Sequence, residues 1–140
     1  MSDSIKLHYT VSPDDFTRAG EASGDVKSKL KKMGVPPEAV RKVAIAMYEG
    51  EINMVIHAQG GNIDVEITED SIIMILADKG PGIADIEQAM QAGWSTAPDN
   101  VRSLGFGAGM GLPNMKKYSD DMTIDTVLGV GTTVTMRVDV

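Results

Sequence analysis

Residues 4 to 11 (Ser4-Ile5-Lys6-Leu7-His8-Tyr9-Thr10-Val11) alternate polar and apolar side chains, the period of a half-buried strand, with His8 on the polar side. Ser12-Pro13-Asp14-Asp15 then carries the chemistry of a helix start: a hydroxyl cap, a proline in the first turn and two acids at the positive end of the dipole. Phe16, Ala19, Val26, Leu30 and Met33 form the apolar stripe of that helix, and Gly34 ends it. Lys27, Lys29, Lys31 and Lys32 crowd its last turns, where cations suit the dipole, and read as a solvated face. A second helix begins at Pro36-Pro37-Glu38 and runs to about Ala58, followed by a turn at Gln59-Gly60-Gly61-Asn62. Ile63 to Thr68 and Ser71 to Ala77, joined by Glu69-Asp70, read as a hairpin. The second of these strands is apolar almost throughout, which suits the centre of a sheet.

Asp78-Lys79-Gly80-Pro81-Gly82 breaks that strand, and Ala84 to Ala92 reads as a short helix. From Gly93 to Gly111 the chain has five glycines and little periodicity, and so long an irregular stretch inside a small domain is usually functional. A helix over Leu112 to Tyr118 follows, then strands Thr123 to Val127 and Thr132 to Val138 around the turn Leu128-Gly129-Val130-Gly131. The order β-α-α-β-β-α-loop-α-β-β predicts an α+β fold. Its form is a two-layer α/β sandwich, with a mixed, mostly antiparallel sheet carrying helices on one face.

With 140 residues and 42% hydrophobic content, one domain spanning 1–140 can bury a proper core. The absence of cysteine excludes disulfides and all thiolate chemistry, and two histidines, His8 and His57, cannot build a histidine-rich metal site. Thirteen basic residues against 20 acidic, a net charge of -7, argue against a nucleic-acid partner. The N-terminus has no basic region followed by an apolar stretch, so it does not read as a signal peptide. The longest apolar run, Ile72 to Ala77, is six residues, far below the roughly 20 that span a bilayer. A soluble, cytoplasmic protein with no membrane partner is expected.

Four features carry candidate chemistry. Glu49 and Asn53, four residues apart, stack on one helix face beside Ile45, Ile52 and Ile56, which turns a carboxylate and an amide toward an apolar layer. Such a carboxylate needs a partner or a metal, and it can accept a proton; the Asn carbonyl can ligate Mg²⁺, while a plain surface pair is the commoner reading of such spacing alone. Asp78 leaves the apolar strand where it can accept the exocyclic N–H of a purine, and Gly80 and Gly82 allow a ligand close to the backbone. A Gly-Pro-Gly turn with a capping Asp is the plainer alternative. Gly105, Gly107, Gly109, Met110, Gly111 and Leu112 lie just before a helix, where free N–H groups and the dipole favour phosphate. The same run can equally be a flexible hinge, and it matches neither the P-loop nor the dinucleotide fingerprint. Thr132, after Gly131, offers a hydroxyl that can complete a purine contact.

In this order and spacing the four features resemble the ATP-binding motifs of the Bergerat-fold ATPase superfamily, which includes gyrase, heat-shock chaperone, histidine-kinase and mismatch-repair ATPases. Glu49-Gly50-Glu51-Ile52-Asn53 looks like its E-x-x-x-N box, and Asp78 to Gly82 looks like its D-x-G-x-G box. Gly105 to Gly111 looks like its glycine-rich lid, and Gly131-Thr132 like its closing G-T box. Within the superfamily, three stretches are similar to anti-sigma-factor-type serine/threonine protein kinases of the stress-response switch-kinase branch. They are Asp78 to Ile86, Ala92-Gly93-Trp94-Ser95-Thr96 and Gly109-Met110-Gly111-Leu112-Pro113.

The resemblance implies the Bergerat fold, ATP and Mg²⁺ as cofactors, and phosphorylation of a Ser or Thr on a small STAS-type antagonist protein. A sigma factor or a downstream regulator is the other partner it implies, and it allows a homodimer. In such a site Asn53 ligates Mg²⁺, the lid glycines with Met110 and Leu112 hold phosphate, Asp78 and Thr132 read adenine, and Glu49 takes the proton of the attacking hydroxyl. Arg102 and Lys116 are candidates for a phosphate-contacting cation by location alone. Residues 94 to 110 are expected to form a lid ordered by the γ-phosphate. A nucleotide-dependent binding module that transfers nothing shares every one of these contacts. A detached histidine-kinase catalytic domain is a third alternative.

Overall fold

The computed structural model describes residues 4–12, 18–57, 60–80, 82, 83, 90 and 111–140. Among them the elements run β1 (Ile5–Val11), α1 (Glu21–Lys32), α2 (Pro37–His57), β2 (Gly61–Ile67), β3 (Ser71–Asp78), α3 (Gly111–Lys117), β4 (Asp121–Val127) and β5 (Gly131–Asp139). The strands form one sheet in the order β1-β2-β3-β5-β4. All four pairings are antiparallel, so the sheet is not mixed, and the apolar β3 holds the central position expected of it.

One face of this sheet is dry. Ile63, Val65 and Ile67 of β2, Ile72, Met74 and Leu76 of β3, and Val134, Met136 and Val138 of β5 are all buried at alternate positions. They meet Val26 and Leu30 of α1 and Val43, Ala46 and Met47 of α2 in a single core. The helices therefore make the second layer of the expected sandwich.

The start of the first helix departs from expectation. Arg18 to Gly20 form a turn, and α1 begins only at Glu21; residues 13 to 17, with Phe16, lie outside the described residues. Gly20 has φ 100, a left-handed backbone that a helix cannot continue through and that glycine adopts without strain. Its place as the cap brings no side-chain acceptor of its own. At the other end Gly34 (φ 79) closes α1 as foreseen: Val35 N–H donates to Leu30 O and Gly34 N–H to Lys31 O, a Schellman closure. Met33 stands in that closure and is 43% exposed, so it does not belong to the buried stripe.

The strands run one or two residues beyond their apolar cores. Gly61 and Asn62 open β2 instead of forming a turn, and β4 and β5 begin at Asp121 and Gly131. In the tight turn between β2 and β3, Thr68 Oγ1 accepts from the N–H groups of Asp70 and Ser71. The helix expected over 84 to 92 lies outside the described residues apart from Met90, which sits in a turn.

Candidate functional site

Two glycines and one helix face bring the first pair of residues into place. Gly50 rests on the sheet so closely that a Cβ there would stand 2.3 Å from Leu76 Cδ2 and 3.1 Å from Met115 Cε. Without a side chain at this point, α2 settles against both β3 and α3. One turn further on, Met54 packs against Gly61, and Gly61 is the residue paired with Asp78 across the sheet. The Glu49–Asn53 segment is thus seated over the end of β3.

Glu49 and Asn53 both turn toward α3. Asn114 Nδ2 donates to Glu49 Oε1 at 3.5 Å, and Asn53 Nδ2 donates to Met115 Sδ at 3.7 Å. Glu49 is half-buried, and this loss of solvent pushes its carboxyl above its ordinary value of 4.5, with the Asn114 bond opposing the shift. A carboxylate so placed holds a proton more readily than a free one, as a general base requires. The carbonyl oxygen of Asn53 has no partner among the described residues, which leaves it available as a hard oxygen ligand.

Asp78 is built in with equal economy. Its Oδ1 accepts from Gly80 N–H at 2.9 Å and from Thr132 N–H at 3.0 Å, which fixes the carboxylate at the mouth of β3. Its Oδ2 has no partner among the described residues and remains an acceptor. Glycine stands on either side. A Cβ on Gly131 would lie 2.1 Å from Asp78 O, and one on Gly61 would lie 2.1 Å from Ala77 O and 2.8 Å from Asp78 Cα. Only glycine permits both neighbouring strands to close on the backbone that carries this carboxylate.

The segment beyond Asp78 is pinned to the β4–β5 hairpin. Gly82 (φ 83) passes so near the hairpin that a Cβ would sit 2.8 Å from Val127 O. Ile83 N–H donates to Thr126 Oγ1 at 2.9 Å, and the Thr126 and Thr132 hydroxyls are 2.9 Å apart. Thr132, buried at 6% exposure, therefore contributes a backbone donor to Asp78 and a hydroxyl shared with Thr126.

The predicted site residues thus fall into three groups. Glu49, Asn53, Asp78, Gly80, Gly82 and Thr132 gather around the end of β3 and its facing helix. Gly111 opens α3 and Leu112 packs against the core. Gly105, Gly107, Gly109 and Met110, with Arg102, lie outside the described residues. Lys116 is in the last turn of α3 and exposed.

Sequence reasoning missed three contributors. The chief one is Glu51, only 3% exposed. Its Oε2 accepts from the N–H groups of Gly20 (3.0 Å) and Ala22 (3.2 Å), and its Oε1 from Ser23 N–H (3.0 Å). A carboxylate on α2 thereby supplies the cap that α1 lacks, at the end where the dipole favours negative charge. The available signal was a charged residue flanked at i-4 and i+4 by the buried Met47 and Val55. Thr126 and Asn114 are the others; each acts through a partner distant in sequence and gives no local sign.

The profile of the histidine kinase-like ATPase domain matches residues 13–138. An anti-sigma F factor of Clostridium beijerinckii is 33% identical over 106 residues, 71% of each chain. The serine/threonine-protein kinase RsbT of Bacillus subtilis is 31% identical over 112 residues, 77% of this chain and 78% of its own. An anti-sigma F factor of Bacillus licheniformis is 32% identical over 142 aligned positions, 96% of this chain and 90% of the other. The α+β layers, the paired helix residues and the glycine-flanked aspartate therefore have a common source: the chain belongs to the histidine kinase-like ATPase domain family.

Proposed function

We propose that this chain is a single ATP-binding domain that acts in the cytoplasm as a serine/threonine protein kinase of the anti-sigma regulatory type. Its substrate in this reading is a Ser or Thr on a small STAS-type antagonist protein. The observation that carries the proposal is Glu49: a half-buried carboxylate with a raised pKa, one turn from an amide whose oxygen has no partner among the described residues, on a helix seated over Asp78. A protein that only bound nucleotide would have no use for such a base.

Adenine is read by Asp78 Oδ2, which accepts the exocyclic N–H while Oδ1 stays committed to Gly80 and Thr132. Gly80 and Gly82 keep the approach clear of side chains, and Thr132 holds the carboxylate from its other side. Gly105, Gly107, Gly109, Met110, Gly111 and Leu112 supply backbone N–H groups for the phosphate oxygens. The carbonyl oxygen of Asn53, without a partner among the described residues, suits Mg²⁺, which would neutralise phosphate charge. Among the described residues no cluster of three acidic or histidine side chains offers a fuller cage, so Asn53 would hold the ion together with the nucleotide phosphates.

Transfer then asks for position and a proton acceptor. Glu49 takes the proton of the attacking hydroxyl as that oxygen bonds to the γ-phosphorus. The bond from the γ-phosphorus to the bridging oxygen breaks, and ADP leaves with the electron pair. The raised pKa of Glu49 keeps the acceptor basic enough for this step.

A second reading, a nucleotide-dependent protein-binding regulator without transfer, is favoured by the anti-sigma factors among the relatives. Both readings need the adenine contact, which calorimetry tests. Asp78→Asn keeps an oxygen for the two backbone donors but turns an amide N–H₂ toward the purine donor. ATP affinity should fall at least about 100-fold. Equal affinity of variant and parent would overturn the nucleotide assignment in either reading.

A further inference from the structure

The stretch from Lys27 to Lys42 holds six of the chain's 13 basic residues and one of its 20 acidic ones, Glu38. On a protein of net charge -7 this concentration of cations stands apart. The fold places it around a groove of about 620 Å³ between the end of α1 and the start of α2. Lys27 and Lys31 form one rim and Arg41 the other, while Val35, Ala44 and Ile45 contribute to an apolar floor.

The cations of this region are not used alike. Lys29 is bonded to Asp25, and Lys42 pairs with Asp120 at 3.6 Å. Lys27 and Lys31, one helical turn apart on the groove side, have no carboxylate partner among the described residues. Arg41 lies over the Tyr118 ring at 5.4 Å, with Glu38 at 3.6 Å in an exposed pair that is worth little. Two ammonium groups with no carboxylate partner among the described residues and a stacked guanidinium beside an apolar floor describe half of a recognition surface.

We propose that this groove docks an acidic amphipathic helix of the partner protein. Carboxylates one turn apart on that helix meet Lys27 and Lys31, and its apolar stripe lies on Val35, Ala44 and Ile45. The proposal rests on the reading of the chain as a regulator with a protein partner and names where that partner is held. Ile45, at the end of the groove, stands one turn before Glu49 on α2, so a docked partner is retained close to the carboxylate that would activate its hydroxyl.

Fluorescence anisotropy tests this with the full chain and two labelled synthetic helical peptides. Both carry a leucine stripe; one is flanked by glutamates one turn apart, and its twin has lysine at those positions. The acidic peptide should bind, more weakly as salt rises, and the basic twin should not. Lys27→Glu/Lys31→Glu should weaken acidic-peptide binding by about tenfold or more, and Lys27→Gln/Lys31→Gln by less. Amide shifts in the NMR spectrum should centre on residues 27–45. No binding of the acidic peptide, equal binding of the twins, an unchanged affinity in the charge reversal, or shifts confined elsewhere would each overturn the proposal. So would phosphatidylserine vesicles sedimenting the parent and not the charge reversal while the acidic peptide stays unbound, because the groove would then be a membrane surface. ATP calorimetry on the parent and the charge reversal separates the two claims. The peptide results decide the groove, whereas failure of the parent to bind ATP would remove the kinase reading.

Discussion

Glu51 and Glu49 stand two residues apart on α2, and removing their charges should affect stability differently. In Glu51→Ala three backbone donors lose their acceptor: Gly20, Ala22 and Ser23. The Ala22 and Ser23 bonds are buried and the Gly20 bond partly so, so water can replace the carboxylate fully only at Gly20. Each stranded buried donor costs about 1–3 kcal/mol. Release of a charge held at 3% exposure returns part of that. A net loss of about 3 kcal/mol follows, or about 10 °C in Tm for a chain of this size. Glu51→Gln retains one oxygen for two of the donors and sets an amide N–H₂ against the third, a loss of about 1–2 kcal/mol.

Urea denaturation followed by circular dichroism measures both variants, with α1 amide exchange as a local readout. The expected order of stability is parent, then Glu51→Gln, then Glu51→Ala, with exchange of the first turn of α1 accelerated most. Glu51→Ala lying within about 0.5 kcal/mol of the parent would refute the cap, since that is the range of an inert surface change.

Glu49→Gln should behave otherwise. Burial raises its folded pKa above 4.5, so the carboxylate form is disfavoured in the folded state. Stability linked to this group is fully present below pH 4.5 and is lost as pH rises through the folded pKa. Glu49→Gln should therefore be at least as stable as the parent at pH 7, and its advantage should vanish in acid, measured by urea denaturation across pH; a variant less stable at pH 7 than in acid relative to the parent contradicts the shift. Gly131→Ala drives a Cβ to 2.1 Å from Asp78 O, so the strand end must move; ATP affinity by calorimetry should fall about tenfold or more, at a stability cost of about 1–3 kcal/mol. Thr126→Val strands Ile83 N–H and removes the hydroxyl beside Thr132; urea denaturation should show a loss of about 1–2 kcal/mol, and Thr126→Ser should restore most of it.

What was legible in the sequence was what lies close together along the chain. An apolar run ending in Asp78-Lys79-Gly80-Pro81-Gly82 announces a central strand with a polar terminus, and Glu49 and Asn53 reveal their shared face through a spacing of four. Their joint order along the chain was enough to point to the family. What was not legible acts across the fold. The start signals at Ser12-Pro13 place a helix earlier than α1 begins, because the true start depends on the left-handed turn at Gly20 and on a carboxylate 31 residues away. Ile83 is held by Thr126, 43 residues on, and no periodicity records such a bond. The lysines at the end of α1 read as a solvated face until α2 closes a groove beside them. Gly61 looks like turn punctuation in sequence, whereas its function is to let β2 lie against Asp78.

In the proposed function Glu49 performs chemistry on a nucleotide held by Asp78. The most direct measurement is transfer of labelled γ-phosphate from ATP to a STAS-type antagonist protein, with parent and Glu49→Gln compared at saturating Mg²⁺-ATP. Phosphoserine or phosphothreonine is expected on the antagonist with the parent, and a rate about 10²- to 10⁴-fold lower with Glu49→Gln at nearly unchanged ATP affinity. Full transfer by Glu49→Gln, or ATP-dependent binding of the antagonist by the parent with no label transferred, would contradict it.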